Sequence, residues 1–209
     1  DEVRLGTVGR PLTGIDFKLA ADGEILAKGD SVMKEYYKDP EATKQAFIDG
    51  YFATGDIGKL DEDGRLMITD RKKDLIKTAG GKYVAPQKLE NLIKMNSIVS
   101  NVLIHGDRKK YVVALITIDK TSVRTVVGDG SNDFKQALKQ PGSHPAIENA
   151  VKQHMRKVNR DLASYETIKK FKILDEDFTI ESGELTPSLK VKRKFCDQKY
   201  EAVINSLYD

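Results

Sequence analysis

Four short clusters in this sequence carry residue types that can do chemistry. The first is Tyr51-Phe-Ala-Thr-Gly-Asp56. A carboxylate beside a tight Thr-Gly backbone is acceptor-only and can take both hydroxyls of a ribose, which makes Asp56 a nucleotide-binding candidate. An Asp that merely caps a surface turn has the same signature. The second is Asp70-Arg-Lys-Lys-Asp-Leu-Ile-Lys77. Arg71 has the planar fork that binds sugar or phosphate oxygens. Lys72, Lys73 and Lys77 read equally well as a solvated charged face. The third is Gly80-Gly81 before Lys82, a pair that permits positive φ and lets another group approach the backbone, or simply a hairpin turn. The fourth is Gly183-Glu-Leu-Thr-Pro-Ser-Leu-Lys-Val-Lys-Arg193. Lys190 sits in its Thr-Pro-Ser loop, where an ammonium can act as a point charge on a carboxylate or phosphate. The competing reading, a basic helix start, sets four cations (Lys190, Lys192, Arg193, Lys194) against the helix dipole.

These clusters must be held by elements, and the pattern changes along the chain. Residues 1–69 read as short strands and turns. Residues 3–8 and 15–19 are strand-like, Asp22-Gly23 turns into a strand at 24–27, and Asp63-Gly64 makes a hairpin between 57–60 and 66–69. Residues 32–37 are compatible with a helix. Asp39 is placed to N-cap a helix that starts at Pro40. Beyond Thr69, Leu75-Ile76 and Tyr83-Val84 flank a hairpin-like loop, and Pro86 opens a helix with Leu89, Leu92 and Ile93 on one face. Residues 99–105 and 111–118 predict two strands. Ser143 is placed to cap a long helix whose Ile147, Val151, Met155, Val158 and Leu162 form one stripe. Residues 168–174 predict a further strand and 195–207 a closing helix. The stretch 125–142, punctuated by Gly128, Gly130, Pro141 and Gly142, predicts only a short helix at 132–139. The fold class is α+β: a β-rich first part, reading as the end of a β-barrel subdomain, then a small domain with a three-stranded sheet, helices and a β-hairpin.

Composition narrows the classes. The chain has 209 residues, 39% hydrophobic and 32% charged, which is ordinary for a globular protein. Cys196 is its one cysteine, which excludes a disulfide framework and a cysteine-rich zinc site and suits a reducing, cytoplasmic compartment. His105, His144 and His154 have no ligand spacing, so no metal site is expected from them, and Cys196 reads as packing. No apolar run reaches the roughly 18 residues of a membrane span. The start, Asp1-Glu2-Val3-Arg4, has no signal-peptide layout. The net charge of +3 hides a split: residues 1–69 hold 9 basic and 14 acidic side chains, net −5, and residues 70–209 hold 26 and 18, net +8.

Taken in order and spacing, the clusters resemble the adenylate-forming superfamily of acyl-CoA synthetases, peptide-synthetase adenylation domains and luciferases. The resemblance begins at Gly6-Thr-Val-Gly-Arg-Pro11, runs through Asp22-Gly-Glu-Ile-Leu-Ala-Lys-Gly29, the Asp56 and Arg71 clusters, and ends in the Lys190 loop. Residues 77–86 and 185–193 look like the long-chain fatty acyl-CoA synthetase branch. The resemblance implies roles. Asp56 and Arg71 would bind the ribose of ATP and of the acyl-adenylate. Lys73 would be the hinge between a large domain ending at residue 69 (hinge 70–73) and a small mobile domain, 74–209. Lys190 would bridge carboxylate and nucleotide in the first half-reaction. Lys77, Gly80 and Gly81 would face CoA in the second. ATP, Mg2+ and CoA are the implied small molecules, used as substrates by the longer enzyme, and the resemblance allows a peripheral membrane association.

The departures are informative. The family's Gly-rich phosphate loop, its Tyr-Gly-x-Thr-Glu segment and its acyl pocket are missing, so the resemblance is to a C-terminal portion, expected to be inactive alone. Leu189 stands where many relatives have Gly, and Glu35 precedes Tyr36 where Gly is usual. An acyl-AMP ligase, or a ligase for another acid, remains a second reading. A non-enzymatic basic module for nucleic acid or a membrane surface is a third. The +8 part allows it, but its aromatics sit at core-like spacings, so no specific nucleic acid is expected. Chain length of the acid and oligomeric state are not encoded legibly.

Overall fold

The computed structural model describes residues 3–128 and 132–209; Asp1, Glu2 and Gly130, read above, lie outside the described residues. The chain divides into two compact units, Asp1–Leu75 and Ile76–Asp209.

The first unit is a twisted antiparallel sheet. Strands β1 (Ile15–Leu19) and β2 (Glu24–Gly29) form a hairpin around Asp22-Gly23. Helix α1 (Pro40–Ala46) starts as the sequence predicts: the Asp39 carboxylate accepts from the Ala42 amide at 2.9 Å and Pro40 occupies the first turn. Strands β3 (Phe47–Ile48), β4 (Tyr51–Leu60) and β5 (Leu66–Arg71) complete a sheet in the order β1-β2-β4-β3, with β5 also paired to β4. A 3-10 turn, Lys72–Asp74, follows β5 directly. Residues 32–37 are not helical; they run as turn and irregular backbone. Residues 3–8 form no strand; Arg4 pairs with Asp61 and Asp63, and the Val8 amide donates to the Leu66 carbonyl beside the bridge of Gly9 to Leu66.

The second unit opens with a short hairpin, β6 (Ile76–Lys77) and β7 (Tyr83–Val84), then helix α2 (Pro86–Lys94). Its central sheet has the order β10-β9-β8, with β8 (Val99–His105) antiparallel and β10 (Ile168–Ile173) parallel to β9 (Val112–Ile118). The parallel pair needs a crossover, supplied by α3 (Arg124–Val127), α4 (Asn132–Lys139) and α5 (Pro145–Arg160). All seven residues of β9 are buried. Its unbroken apolar run is what a strand covered on both faces requires. Val112, Ala114, Ile116 and Ile118 face a core with Leu89 and Ile93 of α2 and Ile147, Val151 and Met155 of α5. Val113 and Leu115 face a second core with Phe178, Leu185, Cys196 and Ile204.

Two helix boundaries differ from the sequence reading. The long helix is capped by His144, not Ser143, which belongs to a preceding 3-10 turn; Pro145 supplies the start. The closing helix is two pieces, α6 (Arg193–Lys199) and α7 (Glu201–Ser206), broken at Tyr200, whose ψ of 18° leaves the helical region.

Candidate functional site

In the first unit, the Thr54-Gly55-Asp56 segment is not a surface turn. It is a bulge inside β4. Glu24 pairs with Ile57 and Leu26 with Ala53, so two residues of β2 span four of β4. The extra residues are pushed out of the ladder, which re-aims the side chain that follows. Gly55 absorbs the kink with φ of +71°, a conformation that disfavours side chains. The bulge is held from both sides. Thr54 Oγ1 donates to the Ile25 carbonyl at 2.7 Å and accepts from the Asp56 amide at 3.1 Å. The Gly55 amide donates to Glu24 Oε1 at 3.0 Å.

Arg71 lies directly across the ladder from Asp56, and its Nε donates to Asp56 Oδ1 at 2.8 Å. Its Nη1 reaches the Thr54 carbonyl at 3.4 Å. The structure therefore joins two residues that the sequence singled out separately. One arginine contact does not saturate a carboxylate, which can accept about four hydrogen bonds, so a diol can still share Asp56. Arg71 is exposed and keeps donors for an anion or sugar.

Lys72 is half exposed, yet it is paired and not simply solvated. Its ammonium lies 2.7 Å from both Asp22 Oδ2 and Glu24 Oε2, and Glu24 is 4% exposed. The Lys72 hydrogen bond holds Asp22 below the usual carboxylate range, and the Asp22 and Glu24 bonds push the Lys72 ammonium up. One carboxylate, Glu24, thus ties the start of the 3-10 turn to the Gly55 amide. Sequence reasoning missed Glu24 and Lys72 because 48 residues separate them; a Glu on a strand beside a turn offered no local signal. Lys73 follows in the same 3-10 turn, two residues before the division between the units.

In the second unit, Lys77, Gly80 and Gly81 share the β6–β7 hairpin. The hairpin is fixed to the loop after β8: the Lys77 amide donates to Asp107 Oδ1 at 3.2 Å, and the Arg108 and Ala79 amides donate to the Lys77 and Lys109 carbonyls. Gly81 needs glycine because its φ is +74°, whereas Gly80 is not among the positive-φ glycines and a Cβ there would meet nothing within 4 Å. Packing within the chain gives no reason for Gly80.

Lys190 sits on a separate loop of this unit, exposed at the tip. The Thr186 amide donates to the Lys190 carbonyl at 2.8 Å, and the Lys190 amide donates to Thr186 Oγ1 at 3.0 Å. Leu189 takes φ of +59°. Glycine is the easy residue for that left-handed position, which gives Leu189 a physical cost. Three of the four cations at this helix start are also accounted for. Lys190 and Lys192 precede α6, and Arg193 turns inward: it donates to both carboxylate oxygens of Glu90, at 2.8 and 3.1 Å, and to the Ile104 carbonyl at 2.8 Å.

The remaining candidates have structural partners. His105 meets Asp197, His144 meets Asp133, and His154 meets the Leu92 and Ile93 carbonyls. Among the described residues no group of three or more His, Cys, Asp or Glu is placed to hold a metal ion. Cys196 is buried, and burial pushes its thiol up to about 11, which suits packing and not nucleophilic attack. No helix among the described residues is long and apolar enough to cross a membrane.

A β-rich unit followed by a small α+β unit with a three-stranded sheet is the fold seen in adenylate-forming enzymes. The structural comparison agrees. The chain superposes on the adenylation domain of a carboxylic acid reductase from Segniliparus rugosus, solved with AMP and a co-purified carboxylic acid, with a TM-score of 0.69 and 25% identity, covering 95% of this chain and 32% of that one. It also superposes on the o-succinylbenzoate CoA synthetase of Bacillus subtilis, solved with ATP and a magnesium ion, with a TM-score of 0.62 and 25% identity over 91% of this chain and 35% of that one. In sequence it is 39% identical over 209 residues, all of this chain and 35% of the relative, to the long-chain-fatty-acid–CoA ligase FadD15 of Mycobacterium tuberculosis. A sequence profile of the AMP-binding enzyme C-terminal domain matches residues 73–209, and the chain belongs to that family. It spans about a third of the length of the curated relatives it matches.

Proposed function

We propose that this chain is the C-terminal part of an AMP-forming long-chain fatty acid–CoA ligase. The overall reaction takes fatty acid, ATP and CoA to acyl-CoA, AMP and pyrophosphate. A carboxylate oxygen attacks the α-phosphorus, the bond to the bridging oxygen breaks, and pyrophosphate leaves. The CoA thiol, losing its proton, then attacks the acyl carbonyl of the adenylate, and AMP leaves.

The observation that carries this reading is the Asp56–Arg71 pair on the β4 bulge, an anchored carboxylate with acceptor capacity left over and a guanidinium beside it. Asp56 is assigned the ribose hydroxyls and Arg71 the adjoining sugar and phosphate oxygens. Lys190 is assigned to the first half-reaction. There, two anions approach each other and a fixed ammonium offsets the repulsion. Lys77, Gly80 and Gly81 are assigned the CoA side. An unfilled position at Gly80 suits close approach of an elongated ligand to the backbone. Lys73 is the proposed pivot about which the second unit turns between half-reactions. ATP and CoA are substrates of the longer enzyme. For Mg2+ the described residues offer no cluster of three or more His, Cys, Asp or Glu placed to hold it.

Two measurements test the reading. The 209-residue chain alone should give no fatty-acid-dependent ATP–pyrophosphate exchange; exchange above background would defeat it. In the longer enzyme, Lys190→Ala should slow acyl-adenylate formation while thioester formation from preformed acyl-adenylate stays nearly unchanged. Equal loss in both would remove Lys190 from the assigned role.

A further inference from the structure

Residues 187–190, at the tip of the loop that carries Lys190, are exposed. The loop's order comes from its base. Leu185 and Val191 form an antiparallel bridge, and the Lys192 amide donates to the Glu184 carbonyl at 2.7 Å. On the far side, Arg193 clamps to Glu90 and Ile104. On the near side stands Glu184, a glutamate only 1% exposed.

The Glu184 carboxylate is fully engaged. Oε1 accepts from Lys199 Nζ at 2.5 Å and from Tyr200 Oη at 2.8 Å. Oε2 accepts from the Ser182 hydroxyl and from the Thr179 amide at 3.4 Å. Lys199 ends α6 and Tyr200 caps it, so one side chain ties the start of the 184–192 segment to the far end of the helix that the segment leads into. Tyr200 is also the residue at which the closing helix breaks, and its ring stacks on Phe178 in the second core. A buried charge is costly to desolvate, and an apolar side chain would pack here without that cost. What the charge provides instead is direction: four donors fix where Glu184, and hence the loop, must lie.

We infer that Glu184 is a positioning residue for Lys190, holding the 185–191 loop at the height and angle that lysine needs in acyl-adenylate formation. Lys199 and Tyr200 are its anchors. This rests on the function proposed above. It goes further, because a residue that never meets substrate would then control one half-reaction and leave the other alone.

The test uses the longer ligase and measures both half-reactions separately: ATP–pyrophosphate exchange with palmitate, and thioester formation from palmitoyl-adenylate and CoA. Glu184→Gln should lower exchange by roughly 10- to 100-fold, the scale on which a misplacement of about 1 Å acts. Thioester formation should stay within about twofold, the scale of a change that misses the transition state. Tyr200→Phe, which removes one anchor and keeps the ring, should show the same split with a smaller loss, and Lys199→Arg should restore exchange relative to Lys199→Met. A merely structural role would depress both half-reactions in proportion to the folded fraction; that result, or exchange within about twofold of the parent in Glu184→Gln, overturns the inference. Lys190→Ala run alongside separates the two failures. No split at Lys190 overturns the function reading, whereas a split there and none at Glu184 overturns this inference alone.

Discussion

The same glutamate makes a thermodynamic prediction that needs no substrate. Burial pushes the Glu184 carboxyl up, but hydrogen bonds from Lys199, Ser182 and Tyr200 outweigh it and hold the group at about 2, against 4.5 for an ordinary glutamate. A carboxyl lowered on folding stabilises the fold above its unfolded value, and that stabilisation is lost as pH falls through the folded value. At ~1.4 kcal/mol per unit, the contribution at pH 7 is about 3 kcal/mol. Glu184→Gln removes it. The amide oxygen can still accept from Tyr200 and Lys199, but its NH2 would face the Thr179 amide, donor against donor. The chain has no tryptophan, and it has two units, so a bulk optical melt is a poor readout. Amide hydrogen exchange in β9, the strand buried on both faces, reports opening of the second unit by itself. The parent and variant should differ by about 3 kcal/mol, roughly a hundredfold in the opening constant, from pH 7 down to about pH 4.5. By about pH 3 the difference should have fallen to half. A gap that stays constant between pH 7 and pH 3, or one below ~0.5 kcal/mol at pH 7, would refute the account of this site.

Other outcomes follow from the geometry. Lys72→Met leaves Glu24 buried without its cation and should cost about 1 kcal/mol in the opening free energy read by amide hydrogen exchange in β4, modest because Lys72 is 45% exposed. Combined with Glu24→Gln the losses should be less than additive, and strict additivity would mean the pair is not coupled. Gly80→Ala should leave stability within about 0.5 kcal/mol, since its Cβ meets nothing, yet raise KM for CoA in the longer enzyme; an unchanged KM would withdraw Gly80 from the CoA side. Leu189→Gly should preserve hydrogen-exchange protection of the Lys190 amide, whereas Leu189→Val should lower it, because a β-branched residue is a poorer occupant of φ +59°. Equal protection in both variants would mean that the loop does not depend on the left-handed position.

Much of the fold was legible because its cause is local. Asp39-Pro40 starts a helix by capping and fixed φ, the stripe through Ile147, Val151 and Met155 declares a buried helix face, and Asp63-Gly64 closes a hairpin. The failures were also local in kind. Residues 32–37 have helix-compatible composition but form no helix. Residues 195–207 carry an apolar pattern that runs through Tyr200, and the pattern does not reveal that the backbone breaks there while the tyrosine hydroxyl reaches Glu184.

The candidate site divides in the same way. Asp56, Arg71, Lys190 and the glycine pair stood out in the sequence because each lies in a short cluster whose residue types have few ordinary uses together. The charge split between the two parts of the chain was equally plain, and it falls within a few residues of the division between the compact units at Leu75 and Ile76. What the sequence could not express is which charges are spent on one another. Lys72 read with Lys73 and Lys77 as a solvated face, but its ammonium is held between Asp22 and Glu24, while Lys190 has no ion pair among the described residues. Asp56 and Arg71 stand in separate clusters of the sequence and become partners only when β4 and β5 set them opposite each other. Glu184 reads as one more acidic residue in a loop. Composition and local spacing determine which groups are available and which elements form. Strand register and helix docking alone decide which distant charges share a buried site, because desolvation makes a charge dependent on partners that the chain brings from tens of residues away.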